Sequence, residues 1–91
     1  MTLKESIQYI LANFAVGDLF DSHTVIKELI TNSNYHLAYL KECPENCTVN
    51  QYHAQIARMI GKFECIQSFG HKIKTHTIYG DISENELWQK I

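Results

Sequence analysis

The sequence predicts a single α+β domain, mainly helical with a small β-hairpin, and three observations predict it. Apolar residues recur at three- and four-residue steps in three separate stretches. Residues 64–79 are rich in β-compatible side chains around Gly70, and the 91 residues with 45% hydrophobic content are enough for one core and too few for two. The whole chain, residues 1–91, is therefore read as one domain.

Thr2 and Glu5 form a capping box, in which hydroxyl and carboxylate satisfy backbone donors reciprocally, so a helix begins at Leu3. Leu3, Ile7, Ile10, Leu11 and Phe14 make its apolar stripe, and it ends before Gly17. Residues 16–20 read as a turn with a short extended piece, after which Asp21 or Ser22 caps a second helix over residues 23–31. Val25, Ile26, Leu29 and Ile30 mark its buried side. Residues 32–47 form an enlarged connection, with one or two helical turns at 35–41 and a break at Pro44.

Thr48 caps the third long helix, residues 48–62, whose apolar positions Val49, Tyr52, Ile56, Met59, Ile60 and Phe63 hold helical spacing. A hairpin over residues 64–79 follows, with Gly70 as its turn and residues 72–79 as its clearest strand. Ser83 and Glu86 read as a second capping box ahead of a short C-terminal helix, residues 84–90. Leu87, Trp88 and Ile91 are its apolar residues. Trp88 is a residue type enriched in interface anchors, so these three are read either as a homodimer contact or as packing onto the first helix.

The net charge of −2 hides an asymmetry. Residues 48–79 hold Arg58, Lys62, Lys72 and Lys74 against one acid, Glu64, and the remainder of the chain is acidic. On the third helix the stripe opposite the apolar one reads Gln51, Gln55, Arg58, Lys62, with Asn50 and Ala54 beside it and no acid between Thr48 and Phe63. Such a stripe suits a DNA groove: Asn and Gln pair with adenine edges, Arg pairs with guanine, and a small Ala54 permits close approach. Alternation sets Lys72, Lys74 and His76 in a row along one side of the strand, as a phosphate clamp requires, with His71 at the hairpin tip strengthening phosphate contact as pH falls. The competing readings are an ordinary solvated helix face and an edge strand guarded by lysines.

Other classes are set aside. No nucleophile-base spacing, phosphate-cradling glycine loop or carboxylate pair appears, so no enzymatic activity and no cofactor are expected. Cys43 and Cys47, with Cys65 and a histidine, offer a zinc hypothesis, but only one closely spaced ligand pair is present and free thiols are the preferred reading. Neither a signal peptide nor a membrane span is read at the N-terminus, and a cytoplasmic location is expected.

The order helix, short extended piece, helix, connection, long helix and two-stranded wing resembles the winged helix-turn-helix superfamily of DNA-binding domains. The resemblance covers about residues 3–79 and rests on element order. It implies a recognition helix at 48–62, with Asn50, Gln51, Gln55 and Arg58 towards the bases, and a wing, residues 70–74, on the adjacent backbone. The implied function is binding of double-stranded DNA as a small transcriptional regulator or accessory factor, in the preferred version as a homodimer. The alternative is a winged-helix module that docks to a protein partner without DNA.

Overall fold

A computed structural model describes residues 1–76 and 82–91, with side-chain detail outside residues 70–85. Its described residues form four α-helices and a three-stranded antiparallel sheet: α1 (Leu3–Ala12), β1 (Leu19–Phe20), α2 (Ser22–Thr31), α3 (Ser33–Lys41), α4 (Val49–Ile60), β2 (Ile66–His76) and β3 (Ile82–Lys90). The sheet order is β1-β3-β2, so β3 is the central strand.

Local chemistry explains the helix starts. Thr2 and Glu5 complete the capping box of α1, and the Asp21 carboxylate accepts from Thr24 N at 3.1 Å to start α2. Asn32 ends α2 and caps α3, its Oδ1 accepting from Asn34 N at 3.0 Å, so one residue separates two helices. The expected helical turns at 35–41 are thus a nine-residue helix, α3. Between α1 and β1 the backbone turns at Gly17, whose φ of +96° is a left-handed conformation that side chains disfavour.

All four helices and the sheet supply the core. Ile7 and Leu11 of α1, Val25, Ile26 and Leu29 of α2, and Ile56 and Ile60 of α4 are sealed from solvent, and Phe20, Ile66 and Trp88 close the core from the sheet. Phe14 stacks on Phe20 with centroids 4.6 Å apart, and Phe20 meets Trp88 at 6.0 Å. Val49, expected on the apolar stripe, is 40% exposed. Among the described residues no helix is long and apolar enough to cross a membrane.

Two expectations are corrected. Residues 84–90 are not a helix but most of β3, which pairs with β1 through Leu19↔Gln89 and Phe20↔Trp88 and with β2 along its length. The Ser83 and Glu86 spacing is therefore no capping box. Glu, Asn, Gln and Lys dominate this segment and suit a helix locally, yet hydrogen bonding on both edges overrides that preference. Nor is Gly70 a turn: β2 runs through it from Ile66 to His76. The register shifts between Ser68↔Trp88 and Lys72↔Glu86, so Phe69, Gly70 and His71 stand where β3 supplies only Leu87. Gly70 lies in a bulge, a common place for glycine inside a strand. The expected strand residues 77–79 and the closing Gly80-Asp81 lie outside the described residues.

Candidate functional site

The amphipathic pattern of α4 decides which side chains reach solvent. Tyr52, Ile56 and Ile60 are buried, while Asn50, Gln51, Ala54, Gln55, Arg58 and, just past the helix, Lys62 are exposed. All six residues of the predicted helix face are therefore exposed. The connection before α4 shapes one side of it: a shallow groove of about 630 Å³ runs between the Pro44–Cys47 loop and Gln51, Ala54, Gln55 and Arg58. Glu45 on the loop brings one carboxylate to its rim.

Two of the predicted readers already have partners. Gln51 is the far half of a capping box, its Oε1 accepting from Thr48 N at 2.9 Å while Thr48 Oγ1 accepts from Gln51 N at 3.2 Å. The signal was present in the sequence as a threonine followed three residues later by glutamine. Gln55 Nε2 donates to Cys47 Sγ at 3.7 Å, which ties the helix face to the loop. Arg58 sits nearer the C-terminal end of α4, lines the groove and is exposed.

Side chains of His71, Lys72 and Lys74 lie outside the described detail, but the two lysines have fixed register positions and His71 falls within the bulge. In register Lys72 stands opposite Glu86 and Lys74 opposite Glu84. Opposed residues of an antiparallel pair occupy the same face, so the two lysines of the expected row are matched in register by acids, while His76 stands opposite Ile82. Sequence reasoning missed this because residues 84–90 were read as a helix.

Behind α4 lies a cluster that the sequence reading also missed. Tyr52 OH donates to Tyr39 O at 2.6 Å, and Tyr39 OH meets His53 Nε2 at 2.8 Å, with Tyr39 and Tyr52 centroids 5.1 Å apart. Burial, with nearby Cys43, Tyr39 and Glu42, raises the Tyr52 pKa above its ordinary value. Burial first, and then the nearby His23, lowers that of His53. These bonds pin α3 to α4.

Trp88, read as one anchor of a dimer contact, is only 6% exposed and belongs to the domain's own core; Leu87 is half-buried and Ile91 exposed. It packs on Phe20 within the core cluster that the helices share. Cys43, Cys47 and Cys65 are free thiols, and among the described residues no group of three or more His, Cys, Asp or Glu side chains converges to hold a metal. Cys65 does not join the pair. No protein-family model, curated protein or solved structure matches the chain.

Proposed function

We propose that the chain is a small winged-helix protein that binds double-stranded DNA through α4, as a cytoplasmic transcriptional regulator or accessory factor rather than as an enzyme. One observation carries the reading. The exposed side of α4, from Asn50 to Arg58, is rich in amides, bears an arginine and has no acid of its own, while the opposite side is buried. Amides and guanidinium on one accessible helix face are the donors that base edges in the major groove accept. Element order supports it further, because a short strand after the first helix adds to the second strand of the ribbon; α3, between α2 and the reading helix, departs from the simple order. The β2–β3 ribbon then serves as the wing.

Selection from a random duplex library, with molar mass measured on the same sample, tests this. An enriched sequence is expected, and Arg58→Ala weakens binding to it by about 1 to 3 kcal/mol while leaving the fold intact. Failure to bind any duplex at low salt overturns the reading.

The second reading, docking to a protein partner, is favoured by the ribbon. With Lys72 and Lys74 opposite Glu86 and Glu84, it carries little uncompensated charge for a phosphate backbone. Retention on immobilised heparin or bulk DNA at low salt separates the two. Retention that Arg58→Ala and Lys62→Ala abolish supports DNA, and passage through both columns supports a protein partner.

A further inference from the structure

The motif that DNA binding leaves unused is the loop Cys43-Pro44-Glu45-Asn46-Cys47 between α3 and α4. It folds about one carbonyl oxygen. Pro44 O accepts from Cys47 N at 3.4 Å and from the Cys43 thiol at 3.9 Å, so a tight turn gathers both cysteines at the Pro44 carbonyl. Cys43 is exposed and Cys47 half-exposed, and both thiols are free. The third cysteine, Cys65, stands apart beyond the other end of α4, its carbonyl accepting from Ile91 N at 2.9 Å.

Cys47 is also the link to the exposed face. Its sulfur accepts from Gln55 Nε2 at 3.7 Å and it lines the same groove as Gln51 and Arg58. Whatever happens to this sulfur is transmitted to Gln55.

We propose that Cys43 and Cys47 form a reversible redox pair that a hydroperoxide closes into a disulfide, and that closure regulates the α4 face by releasing Gln55. The chemistry balances. One thiolate attacks the peroxide, breaking the O–O bond and giving a sulfenic acid, with the other oxygen leaving as water from hydrogen peroxide or as an alcohol from an organic hydroperoxide; the second thiolate then displaces the sulfenic oxygen, which leaves as water. The two sulfurs together give up two electrons and two protons. A dithiol reductant reverses the step by exchange. A disulfide needs its Cβ atoms about 3.5 to 4.5 Å apart, and the adjustment falls on a loop outside both helices.

In the reduced protein the Gln55 amide is tied to Cys47. In the oxidised protein that sulfur turns to Cys43 and the amide is available to a base edge, so specific binding tightens by about two- to fivefold, the scale of one weak tether. The effect on binding rests on the DNA-binding reading; the thiol pairing does not.

The test treats the full chain with stoichiometric hydrogen peroxide and follows it by peptide mapping, the side-chain amide resonances and affinity for the selected duplex. The expected result is loss of two hydrogens mapped to a Cys43–Cys47 bridge, reversal by dithiothreitol, a moved Gln55 amide resonance and tighter binding. Cys65→Ser retains all of these and Cys43→Ser loses all of them. A bridge through Cys65, oxidation only to sulfinic acid, or a Cys43–Cys47 bridge that leaves the Gln55 amide unmoved overturns the proposal, and equal duplex affinity in both forms overturns its regulatory half. Should the bridge form and Gln55 move while neither form binds any duplex, the DNA-binding reading falls and the redox pair stands.

Discussion

The exposed side of α4 and the β2–β3 ribbon look alike in sequence, since each shows basic residues at the period of its own secondary structure. In space they differ. The helix side has no acid of its own and meets one, Glu45, at the rim of its groove, and the buried Tyr52, Ile56 and Ile60 behind it hold it in place. On the ribbon, Lys72 and Lys74 stand opposite Glu86 and Glu84, so the row is balanced by residues from another stretch of chain. Charge along one segment measures a surface only when its spatial neighbour is also counted.

The largest effect is expected from the core behind α4. Ile56 is fully buried, and Ile56→Ala is expected to destabilise the domain by about 2 to 5 kcal/mol in urea titration, because it removes core contacts and leaves a cavity. Gln55→Ala, one residue away on the exposed side, should stay within about 0.5 kcal/mol of the parent. Equal losses would mean that α4 has no free side. Next comes the cap: Thr48→Ala removes the acceptor for Gln51 N and should cost about 1 kcal/mol, with fraying at the end of α4 nearest the groove visible by amide exchange.

The ribbon is tested by removing its acids. Glu84→Gln with Glu86→Gln should change stability by no more than about 1 kcal/mol and steepen the salt dependence of duplex binding by about two phosphate contacts, as the acids opposite two lysines in register lose their charge. An unchanged salt slope would show that the ribbon does not meet DNA.

The smallest effect is pH dependence through His53. Its pKa is lowered by burial, so the fold prefers the neutral ring, whose Nε2 meets Tyr39 OH. Above about pH 6.5 the unfolded chain is neutral there too and nothing is lost; as pH falls below that value the unfolded state takes the proton first and stability drops. The fall between pH of about 7.5 and 5.5 should be smaller in His53→Gln, measured as the urea midpoint at each pH.

Much of the helical part was legible because its signals are local. Thr2 with Glu5, Asp21 and Thr48 mark helix starts within a few residues, and the stripes of α1, α2 and α4 lie within single stretches. The sheet was legible only where it is locally β-like. β3 reads as polar and helix-compatible, and nothing within residues 82–90 announces that Leu19 and Phe20 bond one edge and β2 the other. The same gap hid the pairing of Glu84 and Glu86 with the lysines and made Trp88 look available at a surface. The helix side of the site was read from its period alone; the loop that walls it and the bond from Gln55 to Cys47 depend on how the connection folds back.

The pairing of β1 with β3 also has a kinetic consequence. Two residues, Leu19 and Phe20, pair with Gln89 and Trp88 near the other end of the chain, so this contact closes a very long loop through a two-residue strand. Contact order leads to the expectation that this outer edge of the sheet forms late in folding, so that Phe20→Ala should speed unfolding more than it slows folding. Lys90 Nζ donating to Leu11 O at 2.9 Å and Gly17 N donating to Lys90 O at 2.8 Å then act as the latch that joins the two distant stretches.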